Sequence, residues 1–200
     1  MESPIKDAMD IFIVPTVVMI WEGAFYYCSA LRRILISESA TSLGKHVFKG
    51  CSFLTMVMMP HSLTSIGICT FGGYTSLASI TLPPNMISLG DEVFYECTSL
   101  AVITLLSSLT YIRNRIFDGC KSLSAIKLST SLTSIGNQMF SECASLVTII
   151  LTPKLTSIGD HIFYECTSLT TIKSPPSVTS IGDRAFSGCI LLSTITLPPS

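Results

Sequence analysis

Apolar positions in this chain recur every 23 residues, a period that belongs neither to a helix nor to a single long strand. Phenylalanine stands at 25, 48, 71, 94, 117, 140, 163 and 186. Six residues after each comes a leucine, from Leu31 to Leu192, and nine after each comes isoleucine or, at Val57, valine. Five residues before each is a further aliphatic column, from Ile20 to Ile181. No polar residue interrupts any of the four. A repeat of this length marks a stacked array, because one unit cannot bury its own apolar edge and must lend it to the next.

Each unit divides into short elements. In SLTTI and SLSAIKL the pattern L-x-x-I-x-L sets its last two apolar residues two apart, on one face of a short strand. Pro60, Pro83, Pro175 and Pro198 then end several of these strands. In VTSIGD and LTSIGD a second short extended piece runs into glycine, at Gly44, Gly67, Gly90, Gly136, Gly159 and Gly182, where a positive φ is available at low cost. Asp91, Asn137, Asp160 and Asp183 follow and are expected to cap the next turn as N-cap residues. The segment from there to the Phe, and to a Cys three residues later, predicts one helical or 3₁₀ turn per coil. The expected coil is strand, turn, strand, short helical turn.

Eight such units fill residues 17–200 as one domain, a β-rich repeat solenoid. Residues 1–16 hold a partial unit, a lead-in strand in which Ile11 and Ile13 occupy the columns of Ile34 and Ile36. The units LTSIGDHIFYECTSLTTI, VTSIGDRAFSGCILLSTITLPPS and SLTSIGNQMFSECASLVTI resemble the BspA-type leucine-rich repeats, the 23-residue class of bacterial surface adhesins and protist surface-antigen-like proteins. The resemblance covers residues 17–200 and implies a leucine-rich solenoid that acts in adhesion or partner binding. It departs where Trp21 and Arg113 replace the glycine, Tyr74 the cysteine and Ser174 the last strand aliphatic.

Composition narrows the function. Charged residues make up 12% of the chain, against about 25% in an average protein. A net charge of −1 gives no pull toward nucleic acid or an anionic membrane. The apolar run Ile11–Trp21 carries Pro15 and is too short to span a bilayer, and the N-terminus lacks a basic region and a small-residue cleavage site. Seven of eight cysteines form a column three after the Phe, with Cys69 outside it. No C-x-x-C pair offers a zinc site, and neighbouring rungs hold their Cβ atoms about 4.8 Å apart, wider than a disulfide prefers. The column reads as small buried thiols, which with the N-terminus favours a reducing, cytoplasmic setting, while the resemblance to surface adhesins leaves a cell-surface or extracellular location by a non-classical route as the alternative. His46, His61 and His161 complete no catalytic set, Gly72-Gly73 is a turn variation, and Glu96, Glu142 and Glu165 read as a solvated ridge. No cofactor or metal is expected, and the chain reads as a non-enzyme.

What remains is the outward face of the strands, which lines the concave side of leucine-rich arcs. Its first two repeats present Arg33, Leu35, Met56 and Met58, an apolar patch with one charge, which is the composition of a protein-binding surface. Later rungs are mostly threonine. The alternative role is a structural subunit that stacks head to tail into filaments, Ile195 and Leu197 of one copy continuing into Ile11 and Ile13 of the next.

Overall fold

A computed structural model describes residues 9–105 and 108–196. The chain is a parallel β-solenoid whose coils carry two short strands each, numbered here in chain order, except the third, where the segment around Ser79 makes only an isolated bridge to Val102. One set of strands comes from the lead-in segment and the L-x-x-I-x-L segments: β1 (Met9–Phe12), β3 (Leu31–Leu35), β5 (Met56–Met58), β8 (Val102–Thr104), β10 (Ala125–Lys127), β12 (Thr148–Ile150), β14 (Thr171–Lys173) and β16 (Thr194–Thr196). The other precedes the glycine: β2 (Met19–Ile20), β4 (Ser42–Leu43), β6 (Ser65–Ile66), β7 (Ser88–Leu89), β9 (Tyr111–Ile112), β11 (Ser134–Ile135), β13 (Ser157–Ile158) and β15 (Ser180–Ile181). Every pairing is parallel, and from β3 onward each pair joins residues 23 apart, as in Ile34↔Val57 and Ile149↔Ile172. The sequence period is thus the physical turn of the coil.

The four apolar columns point inward. Within the repeat column the phenylalanines from Phe48 to Phe163 are fully buried. All eight rings stack with centroids 5.5–5.9 Å apart and planes within 15° of parallel. An offset parallel stack keeps the ring faces in contact while each coil stays in register with the next.

The expected helical turn is absent: among the described residues there is no helix, and the segment around each Phe is a run of turns. The reason lies in where its N–H groups go. In the first coil Ala24, Tyr26 and Cys28 donate back to Trp21, Gly23 and Phe25, three residues earlier. The alternating groups, on Gly23, Phe25 and Tyr27, donate to Lys45, Val47 and Lys49 of the following coil. A helix would need all of them for itself. Sending half to a neighbour requires left-handed residues, found two before and two after the Phe: His46 at φ 54° and Gly50 at 75°, Glu92 at 59° and Glu96 at 53°. The Glu96, Glu142 and Glu165 column is therefore a left-handed position, shared with Gly50, Gly73, Gly119 and Gly188.

The glycines before the turn do a different job from the one expected. None of Gly44, Gly67, Gly90, Gly136, Gly159 and Gly182 has a positive φ. They are required by close approach: a Cβ on Gly67 would lie 2.5 Å from the Gly44 carbonyl, and one on Gly136 would lie 2.5 Å from the carbonyl carbon of Arg113. Nor do the following Asp and Asn side chains cap a helix. Asp91 accepts the backbone N–H of Asn114 at 2.9 Å, Asn114 that of Asn137 at 2.9 Å, Asn137 that of Asp160 at 3.1 Å and Asp160 that of Asp183 at 2.8 Å. This side-chain ladder joins five consecutive coils.

The cysteine column is a second ladder. All eight cysteines are free. The thiols of Cys51, Cys97, Cys120, Cys143, Cys166 and Cys189 each donate to the carbonyl of the Phe one coil earlier, at 3.0–3.2 Å. Burial pushes the Cys51 thiol up to about 11 and those of Cys97, Cys120, Cys143 and Cys166 higher still. Tyr74, in the cysteine position of its coil, is fully buried against Phe71, and its hydroxyl has no hydrogen-bond partner among the described residues.

Three outcomes follow from this packing. Phe117→Ala, which removes a ring between Phe94 and Phe140, lowers unfolding stability by about 3–5 kcal/mol in urea titrations. Gly67→Ala is more damaging than Gly73→Ala, since nothing lies within 4 Å of a Cβ at Gly73 and its cost is limited to the left-handed strain of about 1–2 kcal/mol; equal losses would contradict the close-approach account. At pH 8 the folded protein leaves Cys97, Cys120, Cys143 and Cys166 unalkylated by iodoacetamide, and denaturant exposes them all, whereas native reactivity would place those thiols outside the core.

Candidate interaction surface

The outward face of the first strand sheet is built by β1, β3 and β5, in that order. Because alternate residues of a strand face opposite ways, the inward residue Ile34 is buried while its neighbours Arg33 and Leu35 are exposed. Register carries the alternation across the sheet. Asp10 pairs with Arg33 and Arg33 with Met56, while Phe12 pairs with Leu35 and Leu35 with Met58. The four residues expected to meet a partner, Arg33, Leu35, Met56 and Met58, are thereby brought together on one exposed face. Met56 is 47% and Met58 54% exposed. With Asp10, Ile11, Phe12 and Ile34 they line one groove of about 190 Å³.

Two members of this surface escape a reading that starts at the first complete unit. Phe12, 70% exposed, is the most exposed apolar residue of the sheet and extends the Leu35–Met58 row by one rung. Asp10 grips Arg33, accepting from Nη2 at 2.6 Å and from Nε at 3.1 Å. That hydrogen bond holds the Asp10 carboxyl below its ordinary range and the Arg33 guanidinium above its own. The lone charge assigned to the patch is an ion pair. Both residues stand 23 positions before a column member, so the same period points to them. Beside the patch, the Arg32 guanidinium lies 4.3 Å over the Phe53 ring, a cation held by an exposed aromatic.

The residues expected to mediate self-association are placed only in part. Ile11 and Ile13 are half-buried and pack against the core, and Ile195 is half-buried in β16 and pairs with Ile172. Leu197 lies outside the described residues. On the edge formed by the turns, Arg115 joins Glu92 at 3.2 Å and the buried Asp118 at 2.9 Å. Burial raises the Asp118 carboxyl, and the hydrogen bond from Arg115 opposes that rise. Among the described residues no group of three or more His, Cys, Asp or Glu side chains converges as metal ligands, and no helix is long and apolar enough to cross a membrane.

Comparison with solved structures returns the same architecture. The chain is 26% identical to a leucine-rich repeat protein from T. pallidum, with a TM-score of 0.62 over 94% of this chain and 79% of that one. It is 30% identical to a leucine-rich repeat protein from Bacteroides ovatus, with a TM-score of 0.65 over 92% of this chain and 59% of the other. A leucine-rich repeat protein from Eubacterium ventriosum, at 20% identity and a TM-score of 0.76, shares the fold over 94% of this chain and 60% of its own. The chain therefore spans about three-fifths of the length of two of these three. No curated protein matches it. The BspA type leucine rich repeat region matches in six copies, over residues 8–124 and 88–200. With its strand register, buried columns and repeat length all in agreement with that match, the chain belongs to the BspA-type leucine-rich-repeat family.

Proposed function

We propose that the chain is a non-catalytic scaffold for adhesion or partner capture, and that it binds another protein through its outward strand face, with Arg33, Leu35, Met56 and Met58 at the centre of the contact. The observation that carries this is the run of exposed apolar side chains on β1, β3 and β5, since Phe12, Leu35, Met56 and Met58 spend apolar area on solvent while every inward neighbour is used for packing. A contiguous apolar strip with one neutralised ion pair is the make-up of an interface centre, where charge is depleted and Met and aromatic residues are enriched. The free thiols, six of them in buried residues, suit a reducing compartment.

A second reading, head-to-tail self-association, rests on β1 and β16 being the outermost described strands of their sheets, with Ile11 and Ile195 in one column. Sedimentation of the chain beside Ile195→Lys tests it: concentration-dependent assembly abolished by the lysine supports the reading, and a monodisperse monomer at high concentration ends it.

For the binding surface, the test is the double variant Met56→Lys with Met58→Lys. Proteins retained by the immobilised native chain and identified by mass spectrometry are lost from the variant. Thermal stability stays within about 0.5 kcal/mol, because both side chains face solvent. Undiminished retention, or a large fall in stability, overturns the assignment.

A further inference from the structure

The strand ladder is interrupted at more than one junction. β5 has no strand partner in the third coil, where the N–H groups of Met59, Ala78 and Leu82 have no acceptor among the described residues. β10 is unpaired with β12, and this junction carries an apolar groove flanked by lysines. Leu105 N–H donates to Lys127 on one side of this point and Leu151 N–H to Lys173 on the other, but the equivalent donor, on Leu128, has no protein acceptor among the described residues. Val147 N–H is likewise without one, although its equivalents on Ser124 and Thr170 donate to Ala101 and Val147. The opening is confined to this face. In the same two coils β9 and β11 stay paired, and the turn donors of Arg115, Phe117 and Gly119 all reach the next coil. The ring stack there, between Phe117 and Phe140, is the widest of the series at 5.9 Å. Coils five and six are hinged apart on the strand side, leaving a groove of about 500 Å³ between the segments 124–130 and 147–153.

The lining has a definite chemistry. Ile150 is 63% exposed at the lip, and Val147 and Ala125 stand beside it. Lys127 and Lys173 occupy the same outward column one rung to either side of Ile150. Neither lysine has a carboxylate within ion-pair distance among the described residues, and β8, β10, β12, β14 and β16 contain no acidic residue. The carboxylates of these coils, Asp91, Glu92, Glu96, Asp118, Glu142, Asp160, Glu165 and Asp183, all lie in the turn segments. Two cations, two idle N–H donors and an apolar lip without a compensating acid leave one complementary ligand: an apolar segment carrying carboxylates.

We propose that this groove binds an acidic peptide in extended conformation, laid across β10, β12 and β14 with apolar side chains on Ile150 and Val147 and glutamate or aspartate at Lys127 and Lys173. Two rungs separate the lysines by about 10 Å, and because extended residues share a face only at every second position, acids four residues apart, about 13 Å along the peptide with an apolar residue midway, face Lys127, Ile150 and Lys173 together, the flexible side chains taking up the difference. The free N–H groups of Leu128 and Val147 are donors that the peptide carbonyls or carboxylates satisfy. This proposal rests on the reading of the chain as a protein-binding scaffold, but it uses a different part of the strand face from Met56 and Met58.

Titration of the full chain with the capped peptide Gly-Glu-Ser-Leu-Ser-Glu-Gly, whose Glu, Leu and Glu share one face when extended, tests it by fluorescence anisotropy and amide-resolved NMR. Expected are saturable binding, shifts of the Leu128 and Val147 amide signals, affinity that falls as salt rises, and a loss of about tenfold or more in Lys127→Glu with Lys173→Glu. Met56→Lys with Met58→Lys leaves this binding unchanged, which separates the groove from the N-terminal patch. Absence of saturable binding, equal affinity for the glutamine or lysine version of the peptide, or full affinity in the charge-reversed variant overturns the proposal. Retained peptide binding with no protein capture by the Met56 and Met58 surface would overturn the N-terminal assignment and leave the groove standing.

Discussion

A turn N–H in this chain has two possible acceptors, a carbonyl three residues back or a carbonyl one coil ahead, and the coil alternates between them. From that alternation most of the other features follow. Sending every second donor forward makes each coil the template for the next, so lengths cannot vary and the period holds at 23 from Phe25 to Phe186. It forces left-handed backbone on each side of the Phe, which accounts for Gly50, Gly73, Gly119 and Gly188 and for the glutamates and Tyr27 that share their column. It draws neighbouring backbones so close that a Cβ at Gly67 or Gly90 would collide with the preceding coil. Side chains then bind along the stacking direction: thiol to Phe carbonyl, Asp or Asn to the next N–H, ring upon ring.

The inward architecture was legible because burial leaves a compositional trace. Phe117 and Leu123 are fully buried and Ile112 with them, as their unbroken columns imply. The turn was not, because apolar periodicity says which residues are covered and nothing about where an N–H points. Asn137 follows Gly136 just as an N-cap would, yet in the folded chain its side chain accepts from Asp160 in the next coil instead of from its own turn. A glycine column is equally ambiguous, since left-handed backbone and close approach both exclude a side chain. Gly67 and Gly50 stand 17 residues apart for these two different reasons.

The outward face shows the same division. Met56 and Met58 point to solvent as the alternation of the strand requires, and Asp10 and Phe12 could be added by subtracting one period. Lys127, Ile150 and Lys173 are equally visible in their column, yet nothing in the sequence says that the ladder between them is open.

Recognition and stability can be separated in such a molecule because alternate strand residues answer to different demands. Inward residues are fixed by the stack: Ile149 is buried between Ile172 and the preceding coil, and changing it disturbs both neighbours. Its neighbours in sequence, Thr148 and Ile150, meet solvent and are constrained by little except the pleat. The idle donors at Leu128 and Val147 stand between these cases. An unmet buried N–H costs about 1–3 kcal/mol, but at the mouth of a groove water offsets much of that cost, so the local opening is tolerated. It is tolerated also because the coils are joined at several separate places, and β9 with β11 and the turn ladder hold coils five and six in register while the strands part. A solenoid with redundant ladders is therefore able to relax one of them at individual junctions, and a ligand supplying acceptors between β10 and β12 would complete a ladder the chain leaves unfinished there.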